Sequence, residues 1–96
     1  MQALTAIKSD GTTLQVGDEV GVFMKFNDHI TYYHKTCEGI IFVIESIDHH
    51  TGLSKTGYFV VAHVKGRPER KLLGFKKEGY KFIDGIDADW FTKLEG

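Results

Sequence analysis

The stretch HITYYHKTC, residues 29–37, gathers two histidines, two tyrosines and the only cysteine of the chain. Side chains of these types bind zinc, make a thiolate nucleophile, or stack. Zinc takes about four nitrogen, sulfur or carboxylate ligands converging as a tetrahedron. His29, His34 and Cys37 supply three candidates and His49-His50 a fourth, but the CxxC or HxxxH pairs of structural zinc sites are missing. In an extended segment, residues 29 and 34 differ in parity and project from opposite faces. A nucleophilic Cys37 needs a base in reach and a group that orients the base. His34 and Glu38 are near in sequence; Lys35 would activate the thiol and Glu38 would oppose that. No oxyanion-hole sequence accompanies them, and a lone cysteine reads as a small buried hydrophobe. No metal, cofactor or catalytic residue is expected.

Other polar groupings read as structural. Asp84, Asp87 and Asp89 lie close together in DGIDADW but do not follow the calcium-loop order, and Asp87 reads as the cap of a helical turn. GFKKEG lacks the Walker spacing of a phosphate loop. His63, in an otherwise apolar run, reads as a satisfied core or edge histidine.

Charge is distributed unevenly. The net charge is -1, so no whole-chain field attracts nucleic acid or membrane. Between Lys65 and Lys81, however, seven basic residues face two acidic ones, a local +5. The first 64 residues and the last 15 each carry -3. Lys65, Arg67, Arg70, Lys71, Lys76 and Lys77 interleave with Phe75, Tyr80 and Phe82. Cations meet phosphates, and aromatic faces stack on unpaired bases. Lys65, Arg67, Arg70, Lys71, Phe75, Lys76, Lys77 and Tyr80 therefore form the candidate binding surface, within residues 65–82. The alternative is that the lysines guard a strand edge and the aromatics fill the core.

Strands and turns must position these groups. LTAIK and LQV flank an Asp10-Gly11 turn, a hairpin signal. In VGDEVGVFMKF, Val20, Val22, Met24 and Phe26 share one face, which period-two alternation assigns to the core. EGIIFVIESI and GYFVVAHV are further strands, apolar on both faces. DHHTGLSKTG is a polar turn region and KGRPERK a polar loop. LLGFK, KEG and YKFI suggest another hairpin, and DADWFTKLEG a helical turn running into a last strand. Ninety-six residues make a single domain, residues 1–96. The expected fold is all-β: a small, strongly bent barrel of five to six antiparallel strands, with one short helical turn near the C-terminus.

The stretch LQVGDEVGV resembles the opening of Src-homology-3-like small barrels of the KOW and Tudor kind. A hydrophobic residue, Gly-Asp and a valine-rich strand are matched by Val16, Gly17, Asp18, Val20 and Val22. EGIIFVIESID is similar to their second strand and DADWFTKLE to their helical turn and last strand. The resemblance implies a binding module, of nucleic acid or protein, and includes small phage and plasmid regulators of host machinery. Fold alone does not choose among these.

Two roles are expected of the same non-catalytic domain. One is contact with nucleic acid, or a nucleic-acid-associated protein, through the basic and aromatic segment. The other is protein interaction or inhibition through outer apolar strand faces. Ile41, Val43, Phe59 and Val61 cannot all share a core with their neighbours, and an exposed set invites a partner or a homodimer. One cysteine, no long apolar run in MQALTAIKSDG and no membrane-length segment give a cytoplasmic protein as the expectation.

Overall fold

The computed structural model describes residues 2–26, 29–33, 35–74 and 85–94, with the backbone alone at Gln2, 24–26 and 29–33. The described residues form antiparallel strands and two 3-10 turns, at Lys35–Cys37 and Ala88–Trp90. In chain order the strands are β1 Gln2–Ala3, β2 Thr5–Ile7, β3 Thr13–Gln15, β4 Glu19–Phe26 and β5 His29–Tyr33. There follow β6 Phe42–His49, β7 Tyr58–Val64, β8 Arg67–Leu72, β9 Ile86–Asp87 and β10 Phe91–Lys93. These ten described strands exceed the expected five to six because long strands change partners and short pieces pair at their ends. The larger sheet runs β10-β4-β6-β7-β8, with β5 on β4, β1 on β6 and β9 on β7; β2 and β3 form a separate hairpin.

The Asp10-Gly11 turn closes the first hairpin. Gly11 has φ of 88°, a region that costs glycine no Cβ clash, and the Thr12 N–H donates to Asp10 Oδ1 at 2.9 Å. Ala6 and Leu14, opposite each other, are fully buried, while Ile7 is exposed. The Gly17-Asp18 turn then swings the chain into β4. Gly17 has φ of 94°, and its N–H donates to the Ile44 carbonyl at 2.9 Å. The Ile44 N–H in turn donates to the Asp18 carbonyl at 3.0 Å, and Asp18 Oδ2 accepts from the Gln15 N–H at 2.8 Å.

β4 is shared along its length. Residues 20–22 pair with β10, residues 19–20 with β6, and residues 23–26 with β5. Val20 and Val22 are fully buried as their alternation predicts; the side chains of Met24 and Phe26 lie outside the described set. Phe23, on the opposite parity, is also buried, its ring lying over Gly21, where a Cβ would come within 2.5 Å of Cε1.

β6 carries a bulge. Ile44 pairs with Ala62 and Ser46 with Val61, leaving Glu45 as the extra residue. Phe42, Ile44 and Ile47 consequently all face one core, which also holds Val60, Ala62, Ile86 and Phe91. The expected polar loop KGRPERK is instead a Lys65-Gly66 turn followed by strand β8. Its polarity misled because β8 is the terminal strand of the described path, where a polar sequence and a proline are tolerated. The suggested hairpin LLGFK, KEG, YKFI lies largely outside the described residues.

Burial divides the outer apolar set between covered and open positions. Phe59 and Val61 are only 1% and 8% exposed, so β7 is covered on both sides within one chain. Ile41 is exposed and Val43 half-buried, and they alone of the four retain access to solvent. Val22→Asp places a carboxylate in a fully buried position and is expected to cost several kcal/mol, a large share of domain stability. Urea denaturation showing an unchanged midpoint would contradict this packing.

Candidate nucleic-acid interface

The β7–β8 hairpin carries the described half of the basic segment. His63 stands opposite Val43 on β6 and Lys71 on β8, and Val43 stands opposite Glu19 on β4. Cross-strand partners project to the same side. Lys71, His63, Val43 and Glu19 therefore form a row across the outer face, the reverse of the Phe42–Ala62 core face. Glu45, which shares the parity of Val43, lies on this same face.

The row is a ladder of ion pairs. Glu45 Oε1 accepts from Lys71 Nζ at 2.8 Å, and Glu45 Oε2 lies 3.2 Å from His63 Nδ1. Lys65 Nζ donates to Glu19 Oε1 at 3.0 Å. Hydrogen bonding from Lys71, and then from His63, holds the Glu45 carboxyl below its usual range. The two lysines of the described half are thus engaged by acids from β6 and β4.

The arginines differ. The pairing passes from His63 opposite Lys71 to Val64 opposite Arg67, so Pro68, Glu69 and Arg70 bulge out of register. Arg67 and Arg70 are exposed, and neither makes an ion pair among the described residues. Proline lacks the N–H that a ladder would need, which suits a bulge at an edge. The structure therefore brings Lys65, Arg67, Arg70 and Lys71 onto one hairpin, with two engaged and two open. Phe75, Lys76, Lys77 and Tyr80 lie outside the described residues.

The acid partners were not picked out by sequence reasoning. Glu45 reaches Lys71 because 67–72 is a strand paired with β7, which was not expected. Parity was the usable signal: Glu45 shares that of Val43, which faces outward.

The HITYYHKTC stretch is divided. Its first five residues form β5, His34 lies outside the described residues, and Cys37 closes a 3-10 turn. Cys37 is 3% exposed and packs in the core, where burial pushes its thiol above the ordinary value. That shift disfavours the thiolate. No cluster of three or more potential metal ligands occurs among the described residues.

The C-terminal acids act as staples. Asp87 caps the second 3-10 turn, its Oδ1 accepting from the Asp89 N–H at 2.9 Å. Its Oδ2 accepts from Thr56 N–H and Oγ1, both at 3.1 Å, which ties down the loop after β6. Asp89 accepts from Ser9 N–H at 2.8 Å and so ties down the first hairpin. Asp84 lies outside the described residues.

No family model, curated protein or solved structure matches the chain. Among the described residues no helix is long and apolar enough to cross a membrane.

The lowered Glu45 carboxyl sets a pH dependence. A depressed folded-state value stabilises the fold above the ordinary glutamate range, and that contribution is lost as pH falls through the folded value. Wild type is therefore expected to lose more stability than Glu45→Gln between about pH 6 and about pH 3. Parallel acid-unfolding curves for the two proteins would refute the ion-pair ladder.

Proposed function

We propose that this protein is a non-catalytic binding module whose β7–β8 hairpin contacts the phosphate backbone of nucleic acid. The observation that carries the reading is the pair of exposed arginines, Arg67 beside the bulge and Arg70 within it, where no described carboxylate engages them. Arginine's planar fork matches phosphate oxygens. Phe75 and Tyr80, shortly beyond in the chain, supply stacking in this reading, and Lys76 and Lys77 further charge.

The fold reading behind it is a bent small barrel of the Src-homology-3-like kind. Three observations support it: β10 returns beside β4, a 3-10 turn precedes β10, and β6 is bulged. Bulges and bends are the means by which short sheets curl. The buried thiol of Cys37 supports a non-catalytic role and suits a reducing, cytoplasmic setting.

A second reading rests on a different observation. Leu4, 82% exposed, and Val16, 46% exposed, line a groove of about 370 Å³ with Ala3, Glu45, Ser46 and Ile47. A protein partner would use this groove rather than the covered face of β7. In that reading the hairpin arginines meet acidic groups of the same partner.

Titration of a fluorescent oligothymidylate at several salt concentrations separates the two. Wild type is expected to bind. Arg67→Ala and Arg70→Ala should each weaken binding and reduce the slope of log affinity against log salt by about 0.7–1. Phe75→Ala and Tyr80→Ala should weaken single strands more than duplexes, with thermal melts identifying any loss of fold. A flat wild-type titration against single- and double-stranded DNA and RNA at low salt would overturn the nucleic-acid reading in favour of a protein partner.

A further inference from the structure

The ladder across the outer face gives the hairpin a feature that a basic sequence segment does not have. Lys71 and Lys65 each hold a carboxylate from another strand, at 2.8 Å to Glu45 and 3.0 Å to Glu19. Both lysines are about half exposed, as is Glu19, while Glu45 is one-third exposed. A phosphate arriving from solvent can therefore reach the same ammonium groups that the carboxylates already occupy.

We propose that Glu45 and Glu19 act as internal competitors for the polyanion, holding Lys71 and Lys65 so that free phosphate contact is confined to Arg67 and Arg70. This inference rests on the nucleic-acid reading above. Its physical basis is that exposed ion pairs between flexible side chains are weak and exchangeable. A weak contact is displaced by a closely spaced phosphate array but not by scattered anions. The pairs thus lower affinity for sparse charge and make engagement of the hairpin depend on phosphate density. Arg67 and Arg70 make the first contact, and the lysines join only where phosphates crowd the row more densely than along a single strand. His63 shares Glu45 with Lys71, which leaves the carboxylate a partner when the lysine departs.

Near-isosteric substitutions that each remove one negative charge test this. Glu45→Gln and Glu19→Gln each release one lysine, and Glu38→Gln, in the exposed turn before β6, changes net charge equally without touching the ladder. Each protein is titrated with the same oligothymidylate over a salt series, and with inorganic phosphate as a sparse anion. Glu45→Gln and Glu19→Gln are expected to bind the oligonucleotide several-fold tighter at low salt. Their salt slopes should steepen by about 0.7, the value for one added single-strand phosphate contact. Glu38→Gln should leave the slope unchanged. Inorganic phosphate should bind the two ladder variants more tightly than wild type.

If wild type binds but the ladder variants match it in affinity and slope, the inference fails and the nucleic-acid reading stands. If Glu38→Gln strengthens binding as much as they do, general charge is responsible and the inference also fails. If no protein binds, both fall together. Two separate ladder variants guard against one of them folding poorly.

Discussion

A single extra residue, Glu45, sets the geometry from which the rest follows. Without a bulge, alternation along β6 would place Phe42, Ile44, Ser46 and Asp48 on one face. With it, the core receives Phe42, Ile44 and Ile47, opposite Val64, Ala62 and Val60. The bulge also marks a change of neighbour along the other edge of β6. Residues 42 and 43 pair with β4, Ile44 exchanges hydrogen bonds with the Gly17-Asp18 turn, and residues 47 and 48 pair with β1. A strand that serves three neighbours in eight residues must bend, and a bulge supplies the bend together with extra twist.

The same residue links fold to surface. Turning Ile44 and Ile47 inward leaves Glu45 outward, within reach of His63 and Lys71 on the next two strands. The electrostatic character of the hairpin is thus decided by packing inside the sheet. In the described half of the basic segment, Lys65 and Lys71 are occupied and Arg67 and Arg70 are open. In the proposed function, preference for a dense anion would follow from that difference more than from total charge, since arginine offers a fork and lysine a single exchangeable point.

The fold was legible in sequence where one local rule decided the outcome. The Asp10-Gly11 hairpin, the alternation of Val20 and Val22 and the Asp87 cap each depend on residues a few positions apart. Features set by distant partners were not legible. The strand character of RPERKL comes from pairing with β7, against its polarity and its proline. The burial of Phe59 and Val61 depends on what covers the second face of β7, which alternation does not encode. The ion-pair ladder joins Glu19, Glu45, Lys65 and Lys71, with the bonded partners Glu19 and Lys65 46 positions apart, through a register that one bulge shifts. The arginines were picked out by charge alone; Arg70 stands in the second bulge at residues 68–70 and Arg67 beside it.

The most direct test of this dependence is removal of the bulge itself. Equilibrium urea denaturation, followed by circular dichroism, compares wild type, Glu45→Ala and a chain with Glu45 deleted. Glu45→Ala keeps the register and loses only the outward contacts, so its midpoint should shift slightly. Deletion leaves Phe42, Val43, Ile44, Ser46 and Ile47 in regular alternation, so Phe42, Ile44 and Ile47 still meet Val64, Ala62 and Val60, and only the local bend and the outward contacts are lost. The expected result is a deletion variant that folds cooperatively with a lowered midpoint. In an unbulged β6, with Glu45 in register, the same deletion would exchange the two faces of the strand, so a deletion variant that does not fold would contradict both the core register and the charged ladder built on it.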